Sequence, residues 1–588
     1  MPRKSLAEMI GAPQRLSAGR WVPLSFLVVL CLLGPAAVPS RGQVPAASKK
    51  QTEAIERKIK EVVETPGYQH GHWGILVVDR TTGQTVYEQN SQQLFAPASV
   101  TKLFSTAAAL AELGQDYRFE TPVVRHGEVD GQGSLHGDLI LVAQGDLSMG
   151  GRTGADGTLL FKDDDHTYAG GNPHSDIVAT DPLAGLEHLA REVRSAGIKH
   201  VTGDVLIDDR LFDSAESTGS GPRRLSPIMI NDNVVDVLVQ PGKGAGEPAL
   251  VSFQPPTHFL TMDARVETVP ADQKAKIEVS GIGPHCFSVR GAVPAGHGCL
   301  VLIHEIDDPA SFARALFIEA LRNHDVKIDA SPLGSNSTAN LPDRASMASL
   351  PKVAVYTSPP FREFIKVILK VSLNLHASTL PLLLAAKRGE RTLAAGLRRQ
   401  GEALKTLGVD PATVSFGGGA GGSRADLVTP RATVTLLRAM AARPDFAAYE
   451  AALPVLGRDG TLARAVQPES PVRGHAHAKT GTYWVENQLT GKAVLTSKAL
   501  AGYLETAAGR SLILAVFVNN VALDAPRSNQ TVSEATTEVG HLLGKLCEVL
   551  YADDGKGSPG QQCKPNRDSD TKVERTRAPG QSPKSGMP

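Results

Sequence analysis

Apolar and polar positions along the chain fall into three regimes. Residues 51–64 carry charges at helical spacing, as on a surface helix. Residues 73–79 and 84–88 flank Arg80-Thr-Thr-Gly83, which predicts strand, turn and strand. The segment Phe95-Ala-Pro-Ala-Ser99-Val-Thr-Lys102 then enters residues 103–113, mostly apolar. Pro97 marks the start of a helix and Gly114 its end. A helix apolar on nearly every face belongs at the centre of a domain.

In the second regime, residues 119–344, short β-like runs alternate with turn residues. Residues 137–142, 205–208, 234–239, 250–253, 276–279 and 299–303 are examples. They predict a β-rich insertion, with a smaller module nested near 240–303. In the third regime, helical spacing returns at 361–373, 381–388 and 429–442. A strand pair at 498–504 and 511–519 follows, then a helix at 532–551. Residues 48–118 and 345–552 lie on either side of the insertion. Residues 553–588, rich in Pro, Gly, Ser, Lys and Arg, read as a disordered tail.

At 588 residues the chain exceeds one ordinary core. Lys+Arg and Asp+Glu are both 61, so no basic excess points to nucleic acid or an anionic membrane. Arg3, Lys4, Arg15 and Arg20 precede an apolar run at 21–33 and then Gly34-Pro-Ala-Ala37. That layout makes 1–45 a secretory signal and the protein exported; cleavage is expected, with a retained anchor as the alternative. Cys31 lacks the small residues that would precede a lipidation site. Export permits disulfides, with Cys286–Cys299 and Cys547–Cys563 as the local pairings and unpaired thiols as the alternative.

Three short motifs occur in order: Ser99-Val-Thr-Lys102, Ser372-Leu-Asn374 and Lys479-Thr-Gly-Thr482. Each alone is common by chance, but Ser99 opens the apolar helix and Lys102 lies one turn later on the same face. A serine hydroxyl needs a neighbouring base to become a nucleophile. Lys102 can be that base if burial and a second cation, Lys479, depress its pKa. Ser372 is placed to relay a proton to the leaving amine, and Asn374 to hold a substrate amide or orient Lys102. Lys479 with Thr480 or Thr482 would bind a terminal carboxylate, and Gly481 would let a peptide approach the strand. Backbone N–H groups of Ser99 and Thr482 are the candidate oxyanion donors.

S-x-x-K, S-x-N and K-T-G in this order resemble the signature set of penicillin-binding proteins and serine β-lactamases. Roughly 270 residues separate Ser99 from Ser372. A large insertion there resembles the D-alanyl-D-alanine carboxypeptidase/endopeptidase family, the class C low-molecular-mass penicillin-binding proteins. Gly137-Asp-Leu-Ile-Leu-Val-Ala-Gln-Gly-Asp146, Ile230-Asn-Asp-Asn-Val-Val235, Gly421-Gly-Ser-Arg-Ala-Asp-Leu-Val-Thr-Pro430 and Leu453-Pro-Val-Leu-Gly-Arg-Asp-Gly-Thr461 carry the likeness further. Leu500-Ala-Gly-Tyr503 extends it beyond the third motif, so it spans about 50 to 550. The resemblance implies an α/β transpeptidase-like domain with inserted β-rich domains. It implies acylation of Ser99 by peptidoglycan stem peptides and by β-lactam inhibitors. Leu373 departs from the usual Asp or Asn of S-x-N, and residues 483–493 look longer than the usual hairpin.

Other features read as structural. Asp163, Asp164, Asp165 and His166 with His174 and Asp176 have metal-ligand chemistry, but their composition predicts a solvated loop; no metal or cofactor is expected. Gly417–Gly422 lacks the Gly-Lys-Ser/Thr of a phosphate loop. His475, His477, Trp73 and Trp484 read as packing residues. A β-lactamase would need a deacylating carboxylate, and no Glu-x-x-Leu-Asn-like segment lies between Asn374 and Lys479. A non-catalytic peptidoglycan scaffold would have no use for the base.

Overall fold

The computed structural model describes residues 49–68, 70–169, 174–523 and 532–552. The expected signal (1–45), the tail (553–588) and Cys563 lie outside the described residues.

One sheet organises the residues on either side of the insertion. Its strands run in the order Ala476–Asn487, Lys492–Glu505, Ser511–Asn519, His72–Asp79, Thr85–Gln89, all antiparallel, with Val521–Ala522 added beside Lys492–Glu505. Alternation along the strands divides the core. Ala499, Ala501 and Tyr503 face the Thr101–Leu113 side, whereas Leu500 and Leu504 join the core containing Ile59, Leu542 and Leu546. The Thr101–Leu113 helix is buried over its first ten residues and stops at Gly114, whose φ is 85°. The Asn374–Ala386 helix packs beside it and is buried through Ala385.

The helix starting at Phe361 ends at Lys370, not near 373, because Ser372 adopts a left-handed φ of 70°. The next helix begins at Asn374 and runs through Pro381, earlier than the apolar spacing alone indicates. Leu373 between them is buried in the core, so its apolar character fits its position. Residues 483–493 are no loose loop: the two strands continue to Asn487 and from Lys492, with a bulge between Tyr483 and Trp484.

The inserted region is less purely β than its sequence suggests. A six-stranded mixed sheet orders Lys327–Ile328, His200–Val201, Ser134–Val142, Glu120–Val129 and Lys352–Thr357, with Val205–Asp208 parallel to Ser134–Val142. Two helices, Ala184–Ser195 and Pro309–Asn323, belong to the same core. Leu186, Leu189, Ala190 and Val193 recur at helical spacing within a turn-rich stretch. Lys352–Thr357 pairs with Glu120–Val129, so this sheet takes an edge from beyond residue 344. Near 240–303, Thr261–Val269, Lys276–Gly283 and Cys286–Pro294 form a separate three-stranded sheet. Cys286 and Cys299 are free thiols and do not form the expected local pair; Cys547 is a free, buried thiol. Trp73 is buried in the sheet's second core and Trp484 packs against it.

Candidate active site

Ser99 is carried by a turn pinned to the sheet. Phe95 exchanges two backbone hydrogen bonds with Val428, each 2.9 Å. The Ala96 N–H donates to Asn519 Oδ1 at 2.8 Å, and its carbonyl accepts from Ser497 Oγ at 2.7 Å and Asn519 Nδ2 at 3.1 Å. Ala98 then takes a left-handed φ of 45°, a conformation that costs a non-glycine residue about 1 kcal/mol or more. Two glycines make room for it. A Cβ at Gly481 would lie 2.4 Å from the Pro97 carbonyl oxygen, and one at Gly421 only 1.8 Å from that of Ala98. The sequence suggests Gly481 as an entry for substrate; the structure sets the turn that carries Ser99 against that glycine.

The motifs converge on Lys102. Its Nζ donates to Ser99 Oγ at 2.9 Å, to Asn374 Oδ1 at 2.6 Å and to the Ala420 carbonyl at 2.8 Å. Three acceptors match the three donors of an ammonium. Lys102 is nevertheless fully buried. Burial, then repulsion from Lys479, holds its pKa well below that of an ordinary lysine, with Asp426 partly opposing. A lowered pKa favours the neutral amine, which keeps two donors and turns its lone pair toward the Ser99 hydroxyl. Asn374 is itself held, its Nδ2 donating to the Ser220 carbonyl at 2.9 Å.

Lys479 is equally buried and donates to the Thr480 carbonyl at 3.0 Å; burial brings its pKa down to about 7. The Thr480 hydroxyl donates to Thr461 Oγ1 at 2.7 Å, which ties the strand to the 453–461 segment. Thr482 is exposed on the edge strand, opposite Lys498 in the neighbouring strand. Among the described residues, no hydrogen bond joins the Ser372 hydroxyl to Ser99 or Lys102; its carbonyl accepts from Tyr168 Oη at 2.7 Å. The structure thus joins Ser99, Lys102 and Asn374 directly, while Ser372 stands on the adjoining turn.

Several participants are invisible to motif reading. The Ala420 carbonyl belongs to the glycine-rich stretch and has no side-chain signature. Asp426 accepts from the N–H groups of Gly417 and Ser423, both 2.8 Å, and shapes that stretch; burial raises its pKa to about 6. Lys370, two residues before Ser372, pairs with Asp459 at 2.6 Å, and Asp459 also accepts from the Val455 N–H. The Asp163–Asp176 stretch is only partly solvated. Asp163 accepts from the Gly460 N–H at 2.6 Å, Asp164 pairs with Arg464, and Asp165 and His166 are buried in ion pairs with Arg152 and Asp236. Arg152 supplies the partner that makes burial of those acids tolerable. His475 packs against Tyr551 and His477 lies against the Glu450 carbonyl.

A bell-shaped pH dependence of Ser99 acylation follows. The rate constant for the free enzyme rises with pH as Lys102 loses its proton, and falls through about pH 7 as Lys479 loses its charge. Second-order acylation rates measured across pH check this; a rate climbing monotonically through the alkaline range contradicts a role for charged Lys479.

Comparison with known proteins adds to this geometry. The family model described as the D-Ala-D-Ala carboxypeptidase 3 (S13) family matches residues 55–539. The D-alanyl-D-alanine carboxypeptidase of Actinomadura sp. (strain R39) is 29% identical over 503 residues, covering 82% of this chain and 84% of that protein. Penicillin binding protein 4 (dacB) from Haemophilus influenzae aligns with a TM-score of 0.63 and 19% identity, covering 84% of this chain and 99% of that one. The same protein complexed with a novel β-lactam gives a TM-score of 0.59 and 19% identity, covering 83% and 98% of the two chains. At such identity the structural likeness establishes the α/β penicillin-binding fold.

Proposed function

Because the chain belongs to the D-Ala-D-Ala carboxypeptidase 3 (S13) family, and is thereby a serine-type D-Ala-D-Ala carboxypeptidase, we propose that it cleaves peptidoglycan stem peptides through an acyl-enzyme on Ser99. The observation that carries this reading is the contact of a buried, pKa-depressed Lys102 with Ser99 Oγ at 2.9 Å. Lys102 takes the hydroxyl proton as Ser99 Oγ attacks the carbonyl carbon of the penultimate D-Ala. The oxyanion forms between the N–H groups of Ser99 and Thr482. Collapse breaks the peptide bond, and the proton returns from Lys102 to the leaving amine by way of the Ser372 hydroxyl. Water then hydrolyses the ester. Lys479, Thr480 and Thr482 receive the terminal carboxylate, and Gly481 keeps their strand close to the Ser99 turn.

The same acylation serves a cross-link, where the leaving amine belongs to a second stem, so endopeptidase activity falls within this reading. β-Lactams inhibit by acylating Ser99 and leaving slowly. Slow release is supported by the surroundings of the nucleophile: Asp426, whose field reaches Lys102, is already engaged by Gly417 and Ser423. A fast β-lactamase would need a carboxylate free to activate water. The substrate lies in the cell envelope, in keeping with export. Among the described residues no helix is long and apolar enough to cross a membrane.

Labelling purified protein with a fluorescent penicillin tests the proposal. One stable adduct per chain is expected, lost in Ser99→Ala, together with release of D-Ala from a stem pentapeptide. Folded wild-type protein that takes no label would sink the acyl-enzyme reading in favour of a scaffold.

A further inference from the structure

The turn bearing Ser372 and Asn374 is gripped from the insertion at every second residue. The Ser372 carbonyl accepts from Tyr168 Oη at 2.7 Å. Asn374 Nδ2 donates to the Ser220 carbonyl at 2.9 Å. His376 Nε2 lies 2.6 Å from Asp232 Oδ1. Ser378 Oγ lies 3.0 Å from Ser217 Oγ and accepts from the Thr218 N–H at 3.3 Å. Ser372 also holds a left-handed φ of 70°, and such backbone persists only where the surroundings over-determine it.

Behind two of these contacts stands a buried charge network. Arg152 donates to both oxygens of Asp165 at 2.8 and 2.9 Å and to Asp232 Oδ2 at 2.8 and 3.0 Å. His166 bridges Asp232 Oδ2 at 3.1 Å and Asp236 Oδ1 at 2.6 Å. Burial opposes charge on His166, but Asp236, Asp165 and hydrogen bonds to Asp232 and Asp236 outweigh it and raise its pKa to about 10. Asp165 also caps the short helix His166–Tyr168, accepting from the Thr167 N–H at 3.1 Å and its Oγ1 at 2.8 Å. Asn231, Asp232 and Asn233 have consecutive φ values of 50°, 53° and 58°, which aims Asp232 at His376. The His376 Nδ1 atom is buried without a partner.

We propose that Tyr168 is a positioning residue for the reaction: fixed by the Arg152–Asp165 pair, its hydroxyl sets the Ser372–Asn374 turn, and through Asn374 the amine of Lys102. His376, held by Asp232, secures the same turn one step further along. The inference rests on the acyl-enzyme reading given above. The bland account is that these bonds merely dock the insertion onto the catalytic helices. The two differ in what happens to Lys102. A loosened turn admits water to an amine whose pKa is held down by burial and by Lys479 against the opposing charge of Asp426, and that pKa moves back toward an ordinary lysine's.

The experiment is penicillin acylation of full-length Tyr168→Phe, which removes one oxygen and keeps the ring. The expected result is folded protein with full labelling at saturation. Its acylation should slow by about tenfold to a hundredfold, and the acid limb of its pH profile should move to higher pH. His376→Leu should behave alike, and His376→Gln, which can still donate to Asp232, should recover part of the rate. An unchanged rate and profile in Tyr168→Phe would overturn the proposal. So would a loss accounted for by fewer labelled molecules, with the pH midpoint unmoved. An unlabelled wild type would instead overturn the acyl-enzyme reading, and this inference with it.

Discussion

Replacing Lys102 with Met is expected to lower the rate of Ser99 acylation by on the order of 10²–10⁴, the usual contribution of a general base. Met keeps most of the buried aliphatic stem and removes the amine. Asn374 Oδ1 and the Ala420 carbonyl then lose their donor, at a cost of about 1–3 kcal/mol each. Removal of a buried basic group offsets part of that loss, so the protein should remain folded. Stopped-flow acylation gives the rate and thermal unfolding gives the stability. A variant that acylates within tenfold of wild type would move the base elsewhere. Since Asn374 reaches the same nitrogen, Asn374→Ala should slow acylation too, and the double variant should show far less than the product of the two losses.

The second large effect is steric. Gly421→Ala would put a methyl carbon 1.8 Å from the Ala98 carbonyl oxygen, at a φ of 97° that an L side chain rarely adopts. Neither group can yield cheaply, because the Ala98 turn is fixed by Asn519 and Val428 while Gly421 follows the Ala420 carbonyl that holds Lys102. We expect a stability loss of about 3 kcal/mol or more. In the fraction that folds, acylation should be slower by about a hundredfold, since a shift of one ångström at the nucleophile has that effect. Gly131→Ala is the control: a Cβ there meets nothing within 4 Å, and neither property should change. Equal behaviour of the two variants would show that the close approach at Gly421 is of no consequence.

These effects show where sequence reasoning reaches and where it stops. Lys102 and Asn374 lie 272 residues apart yet meet at 2.6 Å, and only the order of the motifs hinted at that meeting. The apolar run after Lys102 was enough to place its helix in the core. Asp165 and His166 defeated composition, because an acid-rich stretch looks solvated until Arg152 is known to face it. Ala420 contributes a carbonyl, which every residue possesses, so no pattern of residue types could single it out. The helices Ala184–Ser195 and Pro309–Asn323 were obscured by the turn residues around them. The end of the helix at Lys370 depended on the left-handed backbone of Ser372, a tertiary demand that serine itself does not advertise.

The pairing of His72–Asp79 with Ser511–Asn519 bears on how the chain matures. A strand near the start must wait for one made more than four hundred residues later, while the sheet between Glu120 and Thr357 depends on nearer partners. Such long-range closure is slow, and the two parts are expected to fold in succession, insertion first. Asn519 also anchors Ala96. The turn that carries Ser99 therefore lacks its anchor until residue 519 has been made, so a chain cut short before that strand is expected to be chemically silent.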